Sequence, residues 1–127
     1  MHQMKTLILL SSFFLFFTCN KSVVSADSST CVKGKLLIKG ICLNYVIQVV
    51  DGDVNDHDVA NVWKHPDTGV EYSNVFALGS KCSFPSTIEE GEEFNFKIVE
   101  KPAEESCIVC KAYSPVPPTS LFIEVCP

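Results

Sequence analysis

With 127 residues, the chain has room for one domain with a modest core, and a domain of that size buries only about 60–70% of the surface its unfolded chain exposes. Its formal charge is −5, carried by 15 acidic residues against ten lysines and no arginine. A nucleic-acid partner ordinarily calls for a basic patch, so that balance disfavours nucleic acid.

The first residues are a targeting segment. Met1 to Lys5 carries one cation, and the 13 residues that follow (TLILLSSFFLFFT) are uncharged and largely apolar. A membrane-spanning helix needs about 20 apolar residues to cross a hydrocarbon core of roughly 30 Å, so this run fits the apolar region of a signal peptide over residues 1–18. No later stretch is long enough to span. Phe16-Phe17-Thr18-Cys19 then places a cysteine directly after the apolar run, ahead of a polar stretch. This resembles the lipobox of bacterial lipoproteins, although Phe16 and Thr18 stand where a branched aliphatic and a small residue are usual. The resemblance covers only residues 1 to about 22. It implies that Cys19 becomes the new N-terminus and carries a thioether-linked diacylglycerol, with acyl chains such as palmitate holding the protein to a membrane. A second site, Val24-Ser25-Ala26 before Asp27, is a small-residue signal for ordinary secretion and would release a free protein. Lys21 weighs against it, because the region before such a cleavage is usually uncharged.

Cysteine arithmetic fits both routes. Seven cysteines are present, an odd number for an exported chain. Removing Cys19, by acylation or by cleavage, leaves Cys31, Cys42, Cys82, Cys107, Cys110 and Cys126. These six allow 15 pairings, among which the sequence does not choose. Their expected setting is an oxidising, extracytoplasmic compartment. If Cys19 is the anchor, residues 19–30 form a flexible polar tether with a typical span of about 18 Å, and the folded domain runs over 31–127.

Within that domain, β-favouring runs at 35–39, 43–50, 60–63, 70–78, 93–100, 108–113 and 121–125 are each bounded by Gly, Pro, Asp or Asn. The clearest is Phe94-Asn95-Phe96-Lys97-Ile98, where strict alternation assigns Phe94, Phe96 and Ile98 to one buried face. Leu121, Ile123 and Val125 repeat the pattern with Glu124 facing out. Helical periodicity is absent throughout. The fold class expected is all-β: a small, disulfide-stapled antiparallel β-sandwich or closed barrel of about seven strands.

Four constellations bear on chemistry. Cys107-Ile108-Val109-Cys110 has the spacing of a thiol oxidoreductase, but it opens a β-favouring run instead of a helix, so its two thiols are expected to bridge different partners. Lys111 in place of histidine excludes covalent haem attachment, and a zinc site drawing on Cys82 and Cys126 conflicts with an oxidising compartment. The acidic loop from Asp51 to Asp58 sets Asp51, Asp53 and Asn55 at the alternate positions of a calcium loop. Its sixth position is Asp56 and its twelfth Val62, where that loop needs Gly and Glu; a solvated loop is expected, with Asp51, Asp53 and Asn55 as a weak calcium candidate. Trp63-Lys64-His65-Pro66-Asp67 reads as a half-buried aromatic before a turn, and Glu89-Glu90-Gly91-Glu92-Glu93 as a solvated turn leading into a strand. Motifs for hydrolysis or phosphate binding are missing. The expectation is a non-enzymatic cell-envelope lipoprotein without cofactors, whose partners are a membrane through the anchor and another envelope protein or small ligand. The alternative is a freely secreted binding or inhibitor module.

Overall fold

The structure, a computed structural model, describes residues 30–104 and 107–127. Cys19, the signal segment and the tether up to residue 29 lie outside the described residues. Strand β1 (Val32–Lys39) leads through a single 3-10 turn at Ile41–Leu43 into β2 (Tyr45–Asp51), and β3 (Ala60–Lys64), β4 (Glu71–Leu78) and β5 (Glu93–Ile98) follow. The short β6 (Ser120–Leu121) and β7 (Ile123–Val125) end the set. All seven belong to one sheet, ordered β3-β4-β2-β1-β5-β7, with β6 paired to β4. Every ladder is antiparallel except the two-residue β4–β6 pairing.

Phe96 sets the geometry of the sheet centre. It is fully buried and faces Val32 across the β1–β5 ladder, as the alternation in β5 predicts. The neighbouring position on β1 must be small: a Cβ on Gly34 would sit 2.8 Å from the Phe96 ring. Rings then continue in a chain, Phe76 to Phe96 at 5.6 Å, Phe96 to Phe94 at 6.0 Å, Phe94 to Phe84 at 5.4 Å and Phe84 to Tyr45 at 5.8 Å. Leu36, Ile47, Leu78, Leu121 and Ile123 fill the space around them. Burying each such side chain contributes about 1.5–3 kcal/mol, which makes this cluster the principal source of cohesion besides the cross-links.

Three disulfides join Cys31 to Cys126, Cys42 to Cys110 and Cys82 to Cys107, with Cα separations of 6.5, 5.1 and 5.5 Å. They belong with an oxidising, extracytoplasmic setting. Cys31 and Cys126 flank the same point of β5: Val32 pairs with Phe96, and the Cys126 N–H donates to the Asn95 carbonyl at 2.8 Å. The other two bridges gather at the far end of β1, about 26 Å along an eight-residue strand.

Several expectations need correction. The strands form one hydrogen-bonded sheet whose ladders do not close, so the barrel is not supported. The run 108–113 is not a strand: Ile108 is wholly exposed, Tyr113 is 79% exposed, and no ladder reaches them. The bonds from Cys107 to Cys82 and from Cys110 to Cys42 fix its path instead, and Pro115, Pro117 and Pro118 downstream lack the N–H groups a ladder needs. The run 43–50 begins its strand only at Tyr45, because Cys42 and Leu43 both sit at φ 56° in the 3-10 turn. The run 121–125 is divided at Phe122 between β6 on β4 and β7 on β5.

Candidate functional site

The corner where two disulfides meet is the part of the domain least explained by folding alone. The residues 107–118 make no ladder, yet Cys107 and Cys110 pin them to Cys82, just after β4, and to Cys42 in the 3-10 turn. The two cysteines therefore do not bond each other, and neither is a free thiol. Beside them Ile41, Ile108 and Tyr113 stand 61%, 102% and 79% exposed. Covalent bonds hold this corner where burial does not.

A polar triangle organises the same corner. The Asn44 amide donates to the carbonyls of Ile41 at 3.0 Å and Ala112 at 3.2 Å, tying the 3-10 turn to the 107–118 segment. Its Oδ1 accepts from the Lys81 Nζ at 2.9 Å. Lys81 lies between two adjoining depressions. One, of about 270 Å³, has Tyr45, Ala77, Val116 and Pro117 in its wall. The other, of about 490 Å³, is walled by Val109, Lys111 and Phe122 over Leu78. Leu78, Lys81 and Ser120 border both. Lys101 extends its Nζ over the Phe122 ring, 6.0 Å from the centroid.

Ser80 secures the floor of this region. It is buried, and its Oγ both donates to the Ile123 carbonyl and accepts from the Ile123 N–H, each at 2.7 Å. One side chain thereby replaces a missing ladder pair where the chain passes from β6 to β7.

The remaining candidates are used structurally. In the acidic loop, Asp51, Asp53 and Asn55 are all exposed. Asn55 closes its own turn, accepting from the His57 N–H through Oδ1 at 3.1 Å and from the Asp58 N–H through its carbonyl at 2.8 Å. Among the described residues, no three His, Cys, Asp or Glu side chains come together as a metal ion needs. Trp63 stacks on Tyr72 at 5.9 Å with His65 edge-on at 5.4 Å. The His65 Nδ1 accepts from the N–H groups of Asp67 and Thr68, which commits the imidazole to the turn. The glutamate-rich stretch leads into β5 and also grips β1: Glu89 pairs with Lys39 at 2.9 Å, Glu93 with Lys33 at 2.7 Å, and the Lys39 N–H donates to Glu90 at 2.8 Å. The Lys33 ammonium holds the Glu93 carboxyl below its ordinary value of 4.5, and Glu93 in turn raises Lys33. Lys97 and Glu124 meet at 3.3 Å across β5 and β7.

The disulfide corner had only a partial signal in the sequence, its cysteines and prolines. Asn44, Ser80 and Lys81 carry no motif at all. Among the described residues, no helix is long and apolar enough to cross a membrane. Comparison of the chain with protein-family models, with curated proteins and with solved structures finds no match.

Proposed function

We propose that this chain is an exported, non-enzymatic binding module, held to a membrane through Cys19, that presents its disulfide corner to a partner in the cell envelope. The observation that carries the binding reading is the segment 107–118, kept in place by two cross-links while Ile108 and Tyr113 face solvent. A backbone segment already fixed by cross-links costs less ordering entropy when a partner covers the apolar side chains it presents. The position of the corner agrees with this role. Cys31 stands at the start of β1 and the corner lies at the other end of that strand, so an anchor ahead of Cys31 would leave the corner uncovered. All six described cysteines are in disulfides, and Cys107 and Cys110 bond to separate partners, which disfavours a thiol-exchange enzyme.

Two measurements test the two halves of the proposal. Intact mass of the processed protein should give a species that begins at Cys19 and carries acyl chains, and Cys19→Ser should move the domain from the membrane to the soluble fraction. An unmodified species beginning at Asp27 would overturn the anchor and favour the secreted alternative that Val24-Ser25-Ala26 supports. For the binding half, a photo-crosslinking amino acid at position 108 should yield a discrete adduct in intact cells, absent when the crosslinker is moved to exposed position 62. Equal adducts at both positions, or none at 108, would refute the corner as the binding face.

A further inference from the structure

The charge around the corner identifies the chemistry of the partner, given the binding role proposed above. From Cys19 onward nine lysines face 15 acidic residues, so the domain as a whole repels anions. The two depressions reverse that sign locally: Lys81 and Lys111 border them, Lys101 reaches over Phe122 at their rim, and no carboxylate of the described residues lines either one. Three lysines elsewhere are paired, Lys33 with Glu93, Lys39 with Glu89 and Lys97 with Glu124. Lys81 instead gives one of its three N–H donors to Asn44, which is itself fixed by two backbone carbonyls. The ammonium is thus held in position with donors to spare, between two hollows lined by apolar and polar groups together. An ion pair made there loses less side-chain entropy than one made by a free surface lysine.

We infer that this groove binds an extended, acidic segment of a partner protein, with a carboxylate at Lys81 and apolar side chains on either side of it. One apolar side chain lies against Tyr45, Ala77 and Pro117, and the other against Val109 and Phe122, near Lys111. The two hollows adjoin across Lys81, which suits a chain whose successive side chains alternate in character better than a compact small molecule filling one hollow.

The probe is a fluorescein-labelled heptapeptide alternating leucine and glutamate, titrated by anisotropy against the oxidised domain, with a glutamine-for-glutamate version as its control. Amide shifts in an NMR titration should centre on Lys81, Lys111 and Ser120. Lys81→Gln and Lys111→Gln should each weaken binding about fivefold, the fold-change of roughly 1 kcal/mol for one half-exposed ion pair, whereas Lys64→Gln on β3 should leave it unchanged. Lys111 makes no hydrogen bond or ion pair among the described residues, so its variant tests the charge even where Lys81→Gln loosens the Asn44 contact. Equal affinity for the glutamine peptide, shifts centred outside the groove, or binding insensitive to Lys111→Gln would overturn the inference. The crosslink at position 108 separates the two readings. An adduct whose yield ignores Lys81→Gln and Lys111→Gln defeats the acidic-segment inference alone, and no adduct at all defeats the binding corner itself.

Discussion

Removing the Cys31–Cys126 bridge by paired Cys→Ser substitution should cost stability by an amount that depends on whether Cys42–Cys110 is present. Taken alone, this bridge closes a loop of 95 residues, for which chain entropy gives about 4.7 kcal/mol. In the oxidised protein the loop is shorter. The unfolded chain already passes from Cys42 to Cys110 through their bond, leaving a circuit of roughly 27 residues and a contribution of about 3.6 kcal/mol. With Cys42 and Cys110 replaced first, the shortest circuit runs through Cys82–Cys107 and grows to roughly 70 residues, raising the contribution to about 4.4 kcal/mol. The same substitution should thus cost about 0.8 kcal/mol more in the variant that lacks Cys42–Cys110. Urea unfolding followed by far-UV circular dichroism measures both; at a slope of about 1.5 kcal/mol/M the first loss lowers the midpoint by about 2.4 M. Net stability for a domain of this size is about 5–15 kcal/mol, so the oxidised single-bridge variant should still fold. A loss below about 1 kcal/mol, or a smaller loss without Cys42–Cys110 than with it, would refute the loop-closure reasoning.

Ser80→Ala should destabilise the fold by about 2–4 kcal/mol, because it leaves both backbone groups of Ile123 unpaired in a buried place; denaturant midpoints check this, and Ser80→Thr should restore part of the loss. Thr119→Val should be neutral to stabilising by about 1 kcal/mol, since the buried Thr119 Oγ1 has no hydrogen-bond partner and valine keeps its shape; a clear loss in thermal midpoint would contradict this. The Lys33–Glu93 pair predicts a pH dependence. Glu93 is lowered when folded, so its contribution is complete above pH 4.5 and fades as pH falls through the lowered folded value. Lys33 is raised when folded, so its contribution holds below pH 10.5 and fades as pH climbs through the raised value. Glu93→Gln should flatten both limbs of the stability profile, and an unchanged acid limb would contradict the assignment.

The sequence made the strands legible wherever alternation and burial reported the same thing. Phe94, Phe96 and Ile98 mark β5 because a half-buried strand needs a period of two, and Phe96 is fully buried. The start of β1 was not legible, since Val32 to Gly34 join the strand by pairing with β5 some sixty residues away. Ile108, Val109 and Tyr113 misled for the opposite reason. Their β propensity is real, but propensity takes effect only beside an open edge, and here the cysteines fix the chain instead. The site was less legible than the fold. Asn44, Ser80 and Lys81 act through distant backbone carbonyls and an adjoining groove, and no local pattern announces such contacts.

The bond between Cys31 and Cys126 also decides what a protease can achieve. Any single cut among the 95 peptide bonds between them leaves one fragment holding Cys31 and the other holding Cys126, still joined through sulfur. A nicked domain is therefore retained whole, and shedding any piece of it takes a second cut or a reductant.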